Sequence, residues 1–469
     1  MVIILNVNIK SKNTKNFVKI INYFTTFAVC MEEERPRKRD RIIKGFSKLL
    51  KEDKLKAVSE YIENPGEFIA LLKGFWYSDS EKQKQFDEFS ENTISNFHIP
   101  YGVSPNVVIN GKIYVVPMVI EESSVVAAAS AAAKFWGDRG GFHAEVIDVQ
   151  KVGQLHFCYK GDKETLKNLM PEIEVELRNS TKDITAKMEK RGGGILDIQL
   201  VDFTEKLKDY YQLRVTFNTC DSMGANFINS CLETFGHTLQ DYFLRKGENV
   251  EIVMAILSNY TPNCRVKVWV ECPVYDLDGV DEHLDGQGFA EKFKKAVDIA
   301  HIDEYRATTH NKGIYNGIDA VVIATGNDFR ATEAAGHAYA SRNGHYESLS
   351  SCEITDGKFK FWLEVPIALG TIGGLTSLHP LAKESLELLG HPSAPELMMI
   401  AATMGLANNY AAVKSLTTKG IQQGHMKMHL ANILNQLGAT DEQKAAALVH
   451  FKDVTVTYAA VEEFLKNNG

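Results

Sequence analysis

Apolar residues recur at helical spacing from Asp40 to Leu72, with Ile42, Ile43, Phe46, Leu49 and Leu50 on one face. From Val107 to Ile120 the pattern alternates, and Asn110-Gly111 at its centre predicts a two-residue hairpin turn. Ser123 to Phe135 is nearly all small residues, which predicts a helix approached closely by another backbone. A second character begins near Val146. Gln154–Tyr159 reads as a strand, Lys163–Lys190 as a long charged helix, and Ile195–Phe203 and Leu213–Phe217 as strands. Ala225–Leu244 then reads as an amphipathic helix, with Phe227, Cys231, Phe235, Leu239 and Phe243 at four-residue spacing. Arg265–Val270 alternates as a last strand, which completes the β-α-β-β-α-β order of a ferredoxin-like module.

These elements predict an α+β chain in which the module is inserted into a larger mixed helix/strand domain. The expected large domain is discontinuous (39–144 and 275–437) and the inserted module covers 145–274. The helical patterns Asp441–His450 and Val454–Lys466 predict a mobile cap over 438–469. Residues 1–38 are expected to be a disordered extension: Phe17–Cys30 is interrupted by Lys19 and Asn22 and falls short of the ~20 residues a bilayer span needs. No small-residue cleavage pattern follows it, and residues 1–30 read as an upstream extension before Met31. The basic cluster Arg35, Arg37, Lys38, Arg39 and Arg41 reads as a solvated arm.

Composition narrows the class. The 469 residues are 44% hydrophobic and 24% charged, as in water-soluble globular proteins, and the length calls for two or three domains. A formal charge of −8 gives no basic footprint for general nucleic-acid binding. The 7 cysteines (Cys30, Cys158, Cys220, Cys231, Cys264, Cys272, Cys352) form no Cys-x-x-Cys pair, which fits reduced thiols in a cytoplasm and neither a disulfide framework nor a metal site.

The densest chemistry lies in Arg306–Asp319 and the Ala324–Asp328 segment beyond it. An arginine, a lysine, asparagines and aspartates are packed between glycines, and Val321-Val322-Ile323 reads as a short buried strand that places Asp328 just past a strand end. On the residues alone, a surface ion pair between Lys312 and Asp328 explains the pattern as well as a working site does. Asp221-Ser222-Met223-Gly224-Ala225-Asn226 lies between a strand and a helix. There Gly224 allows close approach and free N–H groups suit a pyrophosphate, although a plain N-cap by Asp221 is the competing reading. Gly-x-Gly-x-x-Gly is absent.

Four segments in one order resemble the soluble class of 3-hydroxy-3-methylglutaryl-CoA (HMG-CoA) reductases found in bacteria and archaea. They are Glu91–Ile94 continuing through Pro100–Val103 to Pro117–Glu122, Asp221–Asn226, Arg306–Asp328, and Gly420–Met426. The resemblance implies that the large domain binds acyl-CoA and the module binds NAD(P). It implies catalytic roles for Glu91, Lys312, Asp328 and His425. Lys312 faces the developing oxyanion, and Glu91 donates the proton to the second alkoxide. His425 protonates the departing thiolate. Glu91 needs a pKa above the usual ~4.3, with Asp328 as the neighbouring carboxylate that also pairs with Lys312. Arg306, Asn259, Asn316 and Thr93 are implied to hold substrate, the arginine gripping a carboxylate with two hydrogen bonds. Asp221, Met223, Gly224, Asn226 and Thr185 are implied to hold cofactor. Asn408 stands where the family often carries glutamine, and Ser222 replaces the usual alanine.

The same resemblance implies formation of mevalonate and CoA with two reduced nicotinamides, no metal, and homo-oligomers whose active sites lie between subunits. In the family an aspartate shortly before the glycine run selects NADH. Counting back from Gly192 puts Thr185 at that place, with Asp183 its substitute if the loop is longer, and Lys187, Lys190 and Arg191 nearby for a 2′-phosphate. The expectation is NADPH over NADH. An RNA-binding reading of the β-α-β-β-α-β module fails because its central strands lack the Arg/Lys-Gly-Phe-Gly-Phe type pattern. A reductase of another 3-hydroxyacyl-CoA thioester is the nearer alternative, and Arg306 argues against it.

Overall fold

The computed structural model describes residues 42–418, 430–451, 454 and 456–467. The extension 1–38, its basic cluster through Arg41, and His425 with its neighbours lie outside them. The chain divides into two compact units, Met1–His98 and Ile99–Gly469.

In the first unit, α1 (Lys51–Ser59), α2 (Pro65–Gly74) and α3 (Ser80–Asp87) are short. The single helix expected from Asp40 is not formed. Phe46–Lys48 is one 3-10 turn, Ile42 and Leu50 are exposed, and Pro65 starts a new helix at its first position. Lys51 ties α1 to α3 through Asp87 at 2.7 Å and lies over the Trp76 ring.

The second unit is α+β. The hairpin β1 (Tyr101–Ile109) and β2 (Lys112–Val119) turns at Asn110 and Gly111, both at positive φ (51° and 80°), as the dipeptide requires. The alanine-rich α4 (Val125–Gly137) packs on β1. A four-stranded antiparallel sheet runs β3-β8-β10-β9: β3 (His143–Val149), β8 (Cys264–Pro273), β10 (Lys358–Pro366) and β9 (Ser350–Thr355). A second runs β5-β6-β4-β7: β5 (Gly194–Asp202), β6 (Tyr210–Asn218), β4 (Lys151–Tyr159) and β7 (Val250–Ser258). With α5 (Lys163–Ser180), α6 (Lys182–Glu189) and α7 (Ala225–Arg245), this sheet makes the ferredoxin-like module around its own core of Phe157, Phe217, Phe235 and Phe243.

Two expectations fail here. The strand at Arg265–Val270 belongs to β8 of the other sheet, and the module's fourth strand is β7. Val250–Ser258 is almost continuously apolar, so its period does not mark it as a strand. The long charged helix breaks at Thr181, whose buried hydroxyl bonds back to the Leu177 and Arg178 carbonyls.

Above the first sheet lie α8 (Gly286–Ile302), α9 (Glu304–Ala324) and α13 (Ala394–Thr417), with α10 (Phe329–Ala340), α11 (Leu375–Leu378) and α12 (Pro380–Leu388) beside them. The glycine-broken stretch and the Val321–Ile323 strand expected after it are in fact one helix, α9. Local propensity is overridden by packing. Gly317 lies so close to α13 that an added Cβ would overlap the Met404 carbonyl, and one at Gly405 would sit 2.7 Å from Ile318. Val321 and Val322 are fully buried. Gly326 (φ 70°) ends α9, with Asn327 N–H bonded to the Val322 carbonyl and Gly326 N–H to that of Ile323. Helices α14 (Asp441–His450) and α15 (Tyr458–Asn467) form a separate small core with Leu430, Ile433 and Leu434.

Candidate active site

A cleft of about 530 Å³ opens between α4, α9 and α13. The small side chains of α4 make room for it: Ala127, Ala128 and Ala131 line one wall. Arg306, Lys312, Gly313 and Asn316 of α9 line the other, so three expected residues meet in one groove. A Cβ at Gly313 would meet nothing within 4 Å. Lys312 Nζ pairs with Glu122 at 2.9 Å and is largely exposed. Arg306 is half-buried and makes no ion pair with any described residue; among the described residues its side chain has one hydrogen-bond partner, His310. Burial lowers its pKa, yet a guanidinium stays charged.

Behind the groove lies a polar network that the sequence did not disclose. His310 is 1% exposed and bonds through Nε2 to Ser350 Oγ at 2.6 Å, and Ser350 donates to Asn409 Oδ1 at 2.7 Å. Burial, then the Arg306 charge, push the His310 pKa down to about 3. Asn408 bonds to the Met404 carbonyl in its own helix and lines the cleft.

A second locus surrounds the Asp221–Asn226 loop. Gly224 is held at φ 88° against Thr219 and is the N-cap of α7, whose 21 residues begin with no side-chain cap and no acid in the first turn. Those free donors suit a pyrophosphate, so the residues fit a dinucleotide. Asp221 does not cap α7; its carboxylate accepts the Ala394 N–H that opens α13, at 2.8 Å. Lys151, 5% exposed, holds the loop from below through Thr219 Oγ1 (2.6 Å) and the Ser222 carbonyl (2.7 Å). Gly370 presses against Met223, where a Cβ would sit 2.5 Å from the backbone nitrogen, and its N–H and C=O both bond to Asn327. Met223 and Asn259 line a small cavity with Ala331 and Thr332, in the first turn of α10. Asp328, which caps α10, is thereby set beside the loop.

Other placements correct the expectations. Asp328 pairs with Arg330 and the Ala331 N–H, not with Lys312. Burial raises its pKa, but those two partners outweigh it and the net shift is downward. Thr185 is 2% exposed and its hydroxyl turns back to the Lys182 carbonyl, so it presents nothing to a cofactor. Gly193 packs against the Asn218 carbonyl, where a Cβ would lie at 2.5 Å. Glu91 lies exposed on a turn of the first unit, and Thr93 there donates to the Ser90 carbonyl.

Comparison with known proteins gives the family. The profile described as hydroxymethylglutaryl-coenzyme A reductase matches residues 52–430. The chain belongs to the hydroxymethylglutaryl-coenzyme A reductase family. It is 35% identical over 404 residues to the 3-hydroxy-3-methylglutaryl-coenzyme A reductase of Archaeoglobus fulgidus, covering 86% of this chain and 88% of that one. A probable reductase of the same name from Borreliella burgdorferi is 33% identical over 398 residues, covering 84% and 89%. Among solved structures, the class II reductase from Streptococcus pneumoniae bound to NADPH in open conformations matches with a TM-score of 0.66 and 35% identity, over 86% of this chain and 99% of that one. A second structure of the Streptococcus pneumoniae reductase reaches 0.68 at 34% identity, over 91% and 99%. The described residues contain no helix long and apolar enough to cross a membrane.

Proposed function

We propose that this chain reduces the thioester of HMG-CoA to mevalonate, releasing CoA, at a site built from the groove on α9 and the loop before α7. The observation that carries the reading is Arg306: a half-buried guanidinium that makes no ion pair with any described residue, lining the same groove as Lys312. A substrate carboxylate satisfies it with two parallel bonds and fixes how far the thioester reaches along the groove. Lys312 then exchanges Glu122 for the oxygen on which charge develops in each reduction. Asn316, one helical turn on, orients the lysine or the substrate hydroxyl. When bound, the reduced nicotinamide supplies the hydride for each step. The α7 N-terminus and Gly224 hold its pyrophosphate, while Asn259 and Met223 line the adjoining cavity. Glu91 donates the proton to the aldehyde-derived alkoxide and His425 the proton to the CoA thiolate.

NADPH is the preferred cofactor in this reading. With Thr185 turned inward, the exposed Lys187, Lys190 and Arg191 at the end of α6 are the groups available to a 2′-phosphate. Exposed Asp183 is the alternative selector and would favour NADH. The ferredoxin-like module is the cofactor domain and the remainder of the second unit the acyl-CoA domain. Free thiols at all 6 described cysteines favour the cytoplasm.

The working unit is a homo-oligomer. From Lys312 to Ala324, α9 advances ~18 Å at ~1.5 Å per residue, and the Asp328 carboxylate is committed to α10 in its own chain. A lysine and an aspartate that serve one substrate therefore come most simply from two copies. Mixing the inactive Lys312→Ala and Asp328→Asn proteins tests function and assembly together. Random pairing of two-fold copies should restore about a quarter of the parent sites, seen as acyl-CoA-dependent NADPH oxidation. No oxidation by the parent protein refutes the function; an active parent with no complementation refutes the shared site.

A further inference from the structure

We infer that His310 is a positioning residue that aims the Arg306 guanidinium at the substrate carboxylate, through a relay running from the core of α13. The relay has four members on three elements: Asn409 of α13, Ser350 of β9, and His310 and Arg306 of α9. Its direction follows from counting protons. Ser350 has one O–H, and it goes to the Asn409 carbonyl oxygen at 2.7 Å. Ser350 Oγ is then an acceptor toward His310, so Nε2 carries the imidazole proton across the 2.6 Å contact. That leaves a lone pair on Nδ1, facing Arg306 Nη2 at 3.5 Å.

Asn409 is itself held, because its amide donates to the His310 carbonyl at 3.5 Å. His310, Ser350 and Asn409 are each no more than 1% exposed, so water does not compete for these bonds. The opposite tautomer, or an imidazolium, would set an N–H against the guanidinium and turn attraction into repulsion. No described carboxylate makes an ion pair with Arg306, with Asp303 acting on it only through its charge, and an arginine side chain that is not pinned samples many rotamers at an entropic cost on binding. One neutral acceptor at its flank removes part of that freedom while leaving the charge uncompensated for a ligand.

This inference rests on Arg306 binding the carboxylate, and the test separates the two. His310→Phe fills the site but offers no acceptor, whereas His310→Gln offers both a donor for Ser350 and an acceptor for Arg306. Parent, both variants, Ser350→Ala and Arg306→Ala are compared by KM and kcat. The substrates are HMG-CoA and a thioester of equal length whose distal carboxylate is replaced by methyl. His310→Phe should raise KM for HMG-CoA roughly 10-fold or more, change kcat far less, and leave the methyl analogue at parent values. His310→Gln should recover much of the loss, and Ser350→Ala should show a smaller rise of the same kind. If Arg306→Ala raises KM while His310→Phe and Ser350→Ala match the parent, the relay is refuted and the carboxylate assignment survives. If Arg306→Ala leaves KM unchanged, the carboxylate assignment falls and the relay's role with it. Should His310→Phe fail to fold, Ser350→Ala decides, since it removes one hydroxyl and little volume. A neutral Nε2–H tautomer at His310, read by nitrogen NMR, supports the assignment, and an Nδ1–H tautomer overturns it.

Discussion

Two glycines one turn apart on α9 should respond to the same substitution with opposite signs. A Cβ at Gly317 would lie closer than 3.0 Å to the Met404 carbonyl of α13, where ordinary contact begins near 3.4 Å, and both atoms belong to packed helices. Neither backbone can give alone, so α9 and α13 must separate, and overpacking of this kind costs ~1–3 kcal/mol or more. Alanine returns ~1 kcal/mol of helix propensity, leaving Gly317→Ala destabilised by about 2 kcal/mol if the upper part of that range applies. At Gly313 nothing lies within 4 Å, so alanine keeps the propensity gain of up to ~1 kcal/mol. For a chain this large the melting temperature should fall by roughly 2 °C for Gly317→Ala and rise by up to ~1 °C for Gly313→Ala. Differential scanning calorimetry at one scan rate reads both, with midpoints compared in place of extrapolated free energies, because a multi-unit chain need not unfold in two states. Gly317→Ala should also lose turnover, since Arg306, Lys312 and Asn316 ride on the displaced helix. A Gly317→Ala protein that melts at or above the parent would refute the close crossing, and with it the claim that α13 sets the position of the groove.

Three further outcomes are expected. Lys312→Ala should lower turnover ~100- to 1000-fold, and near-parent turnover would remove the lysine from the chemistry. NADPH should give a higher kcat/KM than NADH; the reverse order would point to Asp183 as selector. Burial and the facing Glu333 carboxylate push the Asp319 pKa up to about 8, and one of its carboxyl oxygens is buried with no donor. The folded protein therefore keeps a proton that the unfolded chain releases near pH ~4, so stability falls as pH rises from ~4 towards the folded value. Asp319→Asn should then melt higher than the parent at pH 8, with the gap closing towards pH 4; a gap independent of pH would contradict the assignment.

Legibility differed by type of signal. Alternating strands and four-residue helical spacing identified the hairpin, three of the module's four strands and α7, because each buries one face. Continuous apolar runs misled: Val250–Ser258 was passed over for Arg265–Val270, which alternates more cleanly but pairs in the other sheet. In α9, glycines and β-branched residues argue locally for a turn and a strand, while the deciding contacts come from α13, some ninety residues later in the chain. Arg306, Lys312 and Asn316 were picked out as a set by the family resemblance, and all three line the one groove. The His310 relay was not, since Ser350 and Asn409 reach it only through the tertiary fold. Thr185 shows the limit of counting residues along a chain: the position was reached by spacing, and α6 turns its side chain inward.

The central claim is a double reduction of one thioester, and the ratio of products measures it directly. Nicotinamide oxidation and free CoA thiol should be followed together in a single reaction with limiting HMG-CoA. The account predicts two NADPH oxidised for each thiol released. A ratio of one, which would mean that reduction stops at the aldehyde, or thiol release without oxidation, would contradict it.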